Sequence, residues 1–399
     1  VSTDTSTTST GSAADGKSAP GRADRAIPRT GESITERSTL IYRALRWWPI
    51  ALLILFLVAP YSALPLPGLL DGPLGSPGSL QLIALCLVYG ALATGYDLLL
   101  GRTGLLSFGH ALYFATGLYA TDLAMLELQL PFAAAALFGI GCSISLALLL
   151  GSVSLRVTGI GFSMVTLAFA QAGSILVQRN PGGVTGGEEG RAAPVEMLPD
   201  SLVGIENTAN LYWIALGYLV LTLAVVQWTV SSPTGRIWEG IKENERRVEV
   251  LGLRPYGFKL VAFVIAGGLA GAGGVVYLLL TGGATPQAAT SDATLALLVM
   301  VVLGGSGTRW GPLLGGVLYT WAGHRLGDLA NSSAIADLPA VLRVPLSQPL
   351  FLLGALFVAV VYLLPGGLAK LPARIRAGRS KTDTVGVPGP AHSLEGGTT

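Results

Sequence analysis

The octapeptide GSAADGKS, Gly11 to Ser18, has the residue types and spacing of a phosphate cradle, G-x-x-x-x-G-K-[ST]. In a working cradle a buried strand leads into the glycines, backbone N–H groups converge on phosphate, and a helix leaves. Here VSTDTSTTST precedes the match and Pro20 follows it, so neither flank exists and no nucleotide binding is expected. No Ser/His/Asp or Cys/His constellation shares a site. Cys86 and Cys142 both lie inside apolar runs, where they read as small buried hydrophobes. They offer neither a disulfide framework nor a metal-ligand spacing. No metal, cofactor or catalytic residue is therefore expected. Three polar side chains remain at positions where chemistry would be possible. His110 is the only histidine of the early apolar region, and packing or a backbone hydrogen bond suits it better than a proton relay. Asp97 and Asp122 lie within or near apolar helices, where an unpaired charge is costly. Function, interface placement and helix-to-helix pairing all stay open for these two. Asp292 falls at the end of a later apolar run.

The elements that must carry these residues are membrane helices. Of 399 residues, 51% are hydrophobic and only 12% charged, with a positive mean hydropathy. Apolar stretches of about 20 residues, the length that crosses a hydrocarbon layer, recur along almost the whole chain. Candidate spans run from Trp47 to Leu66, Leu80 to Leu100, Ser107 to Leu126, Pro131 to Leu150, Val157 to Val177, Leu211 to Val230, Phe258 to Leu280, Ala293 to Leu303, Pro312 to Leu326 and Leu346 to Leu364. The expectation is an all-α polytopic membrane protein of about ten spans. Residues 1–46, rich in Ser, Thr, Gly and charge, read as a disordered tail rather than a cleaved signal. Residues 47–366 form the membrane domain, and the basic segment 367–399 is a second tail.

Lys and Arg near helix ends favour the cytoplasmic side. With the N-terminus inside, 21 of the 25 basic residues fall inside and four (Arg179, Arg191, Arg325 and Arg343) outside. Both termini are then cytoplasmic, as is the loop at 231–257. Within that loop, GRIWEGIKENERRVEVLGLRP (Gly235 to Pro255) carries five basic and four acidic side chains in twenty-one residues. Its IWEGIKENERRVEVL stretch is helix-compatible, with Trp238, Ile241, Val248 and Leu251 roughly on one face. The stripe is interrupted at Asn244 and Glu245. Glu243 to Arg247 and Glu239 to Lys242 are helix-spaced opposite charges, and Gly252 suits a helix stop. A solvated linker and a membrane-surface helix are the plain readings. A docking helix for a cytoplasmic partner accounts for more, with Ile241 and Val248 as its anchors.

The segment GRIWEGIKENERRVEVLGLRPYGFKLVAFVIAGGLAGAGGVVY resembles the cytoplasmic loop and following helix of branched-chain amino acid ABC transporter permeases of the LivM type. Gly235, Arg236, Ile241, Glu243, Glu245, Leu251 and Gly252 stand at matching positions. GYDLLLGRTGLLSFGHALYFATGLYA, VTLAFAQ with VTGG, and LVMVVLGGSGTRWGPLLGG are similar to earlier, middle and later blocks of the same family, in the same order. The family histidine coincides with His110. One departure falls in the loop, where Arg247 and Val248 replace a pair of small residues.

The resemblance implies a second permease subunit, two cytoplasmic ATP-binding subunits and an extracytoplasmic solute-binding protein as partners. It places the chain in a prokaryotic cell membrane, in contact with lipid and not with nucleic acid. Motion of the ATPases would pass through Gly235 to Gly252 to the spans. Urea and sugar permeases of the same superfamily are alternatives, although the sugar permeases have Gly-Gly-Asn where this chain has Lys242-Glu243-Asn244. An ion-coupled secondary transporter is the alternative of another class. Gly267, Gly271 and Gly274 have the small-residue spacing that lets membrane helices approach closely. Gly104, Ser107, Gly109 and His110 lie in GRTGLLSFGH, a glycine-rich break between apolar helices. Irregular backbone at membrane depth often lines a path, and tight turns are the alternative there.

Overall fold

The computed structural model describes residues 56, 58–62, 72–330, 348–363 and 366–370. Most of the expected first span, all of the N-terminal tail with Lys17 and its motif, and most of the C-terminal tail lie outside the described residues. Apart from Phe56, the described residues lie in one compact unit, 58–399.

Ten α-helices occur among the described residues. Helix α1 (Pro77–Asp97) starts from a Ser76 cap with Pro at its first turn and runs on into a π-turn, Leu98–Thr103. Helix α2 is His110–Leu126, α3 Phe132–Ser154, α4 Ile160–Arg179, α5 Thr208–Ser231 and α6 Pro233–Val250. Helix α7 is Pro255–Thr281, α8 Ser291–Gly304, α9 Gly311–Ala330 and α10 Pro349–Leu363. Nine of the ten expected spans thus coincide with helices. Five stretches (α1 with its π-turn, α3, α4, α5 with the short turn before it, and α7) are long and apolar enough to cross a membrane. A β pairing joins Arg191–Ala192 (β1) antiparallel to Gly283–Ala284 (β2), tying the α4–α5 connection to the end of α7.

Helices α1 and α7 are the most buried of the long spans, whereas α3 turns Leu137, Phe138, Leu148 and Leu149 outward. Helix α7 approaches its neighbours through small residues. A Cβ on Gly267 would run into that of Ala147, one on Gly271 into Ser143, and one on Gly274 into the Phe114 carbonyl. The hydroxyl of Ser143 donates to the carbonyls of Tyr113 and Gly267, both at 2.9 Å, so α2, α3 and α7 share one polar pin.

Candidate functional site

The charged segment folds as α6, but it is not one continuous helix. Asn244 has φ −161° and ψ 100°, and its side-chain oxygen accepts from the Arg247 N–H at 3.1 Å, so it ends one helical piece and caps the next. The interrupted stripe in the sequence falls on this break. The second piece ends at Gly252, whose φ of +83° turns the chain so that the next N–H, of Leu253, reaches back to the Val248 carbonyl at 3.3 Å.

The orientation of the stripe corrects one expectation. Trp238, Ile241 and Val248 are 0%, 4% and 6% exposed within this chain, inside its main hydrophobic cluster. Ile241 and Val248 therefore cannot be anchors for a partner's groove, because their own membrane domain already fills that role. Leu251 does not share their face. It is 74% exposed and stands beside Val250, 86% exposed.

Polar contacts fix α6 on two neighbours. Trp238 Nε1 donates to the Phe258 carbonyl at 2.8 Å, and Glu245 pairs with Lys259, both on α7. On the other side the Lys242 ammonium donates to the Gly101 carbonyl at 2.7 Å, and Glu239 pairs with Arg102 at 3.0 Å rather than with Lys242. Gly101 and Arg102 belong to the π-turn that ends α1. Gly104 closes that turn with φ +74°, and a Cβ there would sit 3.3 Å from Lys242 Cγ. Gly235 and Arg236 lie where α5 turns into α6. A Cβ on Gly235 would strike the Val230 carbonyl, while Arg236, Glu243 and Arg247 are exposed.

The π-turn also meets the second glycine-rich stretch. Asp97 accepts from the Gly307 N–H at 2.8 Å, and a Cβ on Gly101 would collide with both groups. Asp97, Gly101, Lys242 and Gly307 thus join three connections that are distant in sequence. Sequence patterning did not reveal this junction, because a buried Asp and a Gly carry no mark of which backbone they meet.

The break between α1 and α2 is held from several helices. Tyr96 donates through its hydroxyl to the Ser107 carbonyl at 2.7 Å, and Ser163 donates to the Leu106 carbonyl at 2.7 Å. The N–H groups of Phe108 and Ala111 donate to Thr166 and Thr294. Gly109 packs on the Thr166 carbonyl, and its N–H reaches Ser107 Oγ at 3.3 Å. Irregular backbone at membrane depth is thereby satisfied by protein. His110 is fully buried beside Tyr96, with ring centroids 5.1 Å apart, and neither ring nitrogen has a hydrogen-bond partner among the described residues. Of the three readings for His110, packing describes this arrangement, and no backbone hydrogen bond to the ring occurs among the described residues. A cavity of about 80 Å³ lies nearby, lined by Tyr89, Leu92, Phe114, Tyr277, Gln287 and Leu297.

At the opposite end of the bundle from α6, Asp122 is fully buried with its carboxylate 3.7 Å from Arg191 Nε. Arg191 is itself held by the β1–β2 pairing and by donation to the Val184 carbonyl at 2.7 Å. No group of three or more His, Cys, Asp or Glu arranged to hold a metal occurs among the described residues.

A bundle of apolar helices with buried, protein-satisfied breaks and one charged helix clamped to its end defines a polytopic helical membrane protein. The sequence model of the family described as "Branched-chain amino acid transport system / permease component" matches residues 78–361, and the chain belongs to that family. The match runs from the start of α1 into α10 and so includes α6. The chain is 27% identical over 335 residues to the high-affinity branched-chain amino acid transport system permease protein LivM of Salmonella typhimurium, covering 77% of this chain and 74% of that protein. The Escherichia coli protein of the same description is 28% identical over 286 residues, covering 65% and 66%. A probable branched-chain amino acid transport permease protein LivM of Methanocaldococcus jannaschii is 28% identical over 298 residues, covering 71% and 83%.

Proposed function

We propose that this chain is a membrane-spanning subunit of an ATP-driven importer for branched-chain or related amino acids, with α6 as the element that receives motion from a cytoplasmic ATPase. The observation that carries this is the clamping of α6. Its buried stripe and four polar contacts lock it to α1 and α7, while Glu243, Arg246, Arg247, Val250 and Leu251 stay exposed. A helix fixed rigidly to two spans transmits force, and a free corner with both charge and apolar surface suits a protein partner. ATP chemistry belongs to the partner subunits, and a second permease and a solute-binding protein complete the assembly in a prokaryotic cell membrane.

The residues that an ion-coupled transporter would use are engaged structurally. Asp97 holds the Gly307 backbone and Asp122 faces Arg191. The test is labelled leucine uptake in cells with and without this chain, competed by isoleucine, valine, urea and ribose. Chain-dependent uptake blocked by isoleucine and valine is the expected result. Competition by urea or ribose alone would replace the solute class, and uptake that persists without ATP would replace the mechanism.

A further inference from the structure

Helix α4 has two faces of different chemistry. Phe162, Ser163, Thr166, Ala170 and Ser174 turn inward, and Ser163 and Thr166 support the irregular segment between α1 and α2. The other face is open along its length, with Met164, Leu167, Ala168, Gln171, Ala172 and Ile175 exposed. Gln171 lies near the middle of this 20-residue span, at the centre of the hydrocarbon if the helix crosses it.

The carboxamide of Gln171 makes no hydrogen bond to any described residue. Exposed or half-buried hydroxyls elsewhere return their hydrogen bond to their own helix, as Ser145 does to the Gly141 carbonyl at 2.8 Å and Thr116 to the Leu112 carbonyl at 2.7 Å. Gln178 reaches Ser174 in the same helix, at 3.2 Å. One turn either side of Gln171, Leu167 and Ile175 are both apolar. Acyl chains offer an amide nothing, and leaving its donors and acceptor unmet in hydrocarbon is costly. The outward face of α3, with Leu137, Phe138, Leu148 and Leu149, suits lipid. The α4 face does not.

We infer that the open face of α4 is a wall of the solute path and that Gln171 is a polar contact for an aliphatic, zwitterionic amino acid passing along it. This deepens the importer reading and rests on it. A neutral carboxamide donates to a carboxylate and accepts from an ammonium with the same group, whereas a fixed charge would favour one end and hold it. Conduction needs contacts weak enough to release. The flanking Met, Leu, Ala and Ile side chains give an aliphatic side chain an apolar surface.

The experiment uses the assembled complex in proteoliposomes, with Cys86 and Cys142 replaced by Ala and a single cysteine introduced at Ala172 or, for comparison, at Leu148 of α3. A charged, water-soluble thiol reagent should label Ala172→Cys about tenfold faster or more than Leu148→Cys, as water reaches one face and not the other. Gln171→Leu should lower leucine uptake about tenfold while the subunits co-purify in normal ratio, and Gln171→Asn should keep part of the activity. Equal, slow labelling at the two positions would overturn the path assignment. Unchanged uptake by Gln171→Leu would overturn the solute contact. So would dissociation of the permease pair in that variant, which would make the amide a subunit-interface bond. If the wild-type complex carries no aliphatic amino acid, the importer reading loses its solute, while the labelling rates still decide whether α4 faces water.

Discussion

Single side chains at the α1 turn carry more than their chemistry suggests. Lys242 is an ordinary exposed cation in composition, yet it ties α6 to the Gly101 carbonyl. Lys242→Met keeps the stem that packs on Gly104 and removes the donor, a hydrogen bond worth about 1.5–3 kcal/mol when charge-assisted. The expected outcome is a complex that assembles and hydrolyses ATP but imports several-fold less leucine per ATP. Coupling at the wild-type ratio would show that the contact transmits nothing. At the other end, Arg191→Met leaves the buried Asp122 carboxylate without its counter-charge, at a cost of about 3–5 kcal/mol. Its melting temperature in detergent should fall clearly, and adding Asp122→Asn should recover most of the loss. If the double variant melts no higher than the single one, the pair is not coupled.

At the scale of elements, the break in α6 decides which side chains stay exposed and so, on the proposed function, which could meet the ATPase. The first piece buries Trp238 and Ile241, and the second, restarted by the Asn244 cap, buries Val248 and exposes Val250 and Leu251. Ile241→Asp should therefore destabilise the chain itself, because a charge enters its own core, and less folded protein should be recovered. Leu251→Asp should leave yield and melting temperature unchanged, since exposed substitutions cost little, yet reduce co-purification of the ATPase subunits. The reverse pattern would return the partner surface to the buried stripe. Asn244→Ala removes the cap, worth about 1 kcal/mol, and a modest fall in both stability and coupling is expected.

For the whole molecule, the proposed topology, which rests on the bias of basic residues, has α6 and the α4–α5 connection on opposite sides of the membrane. Ser201 and Glu249 are both exposed, so a cysteine at each reports its side directly. An impermeant reagent applied to intact cells should label Ser201→Cys and not Glu249→Cys, and inverted vesicles should give the converse. The opposite labelling would turn the molecule over and remove α6 from the ATPases.

The sequence by itself determined the class of this protein, because hydrocarbon demands long apolar helices and those are legible as runs. Nine of ten expected spans coincide with helices for that reason, and the ordered blocks around Gly90 to Gly316 already resembled the family that the chain belongs to. The interruption at Asn244 and the stop at Gly252 were also legible, since a break in periodicity and a glycine are local signals. Only the tertiary structure decided which faces meet. In a membrane helix the lipid-facing and protein-facing sides are both apolar, so α3 carries no stripe that tells one from the other. On α6 the stripe is visible, but periodicity states only that a face is buried and not what buries it. The close approach of α1, α7 and the π-turn gave Trp238, Ile241 and Val248 to this chain's own core and left Val250 and Leu251 exposed.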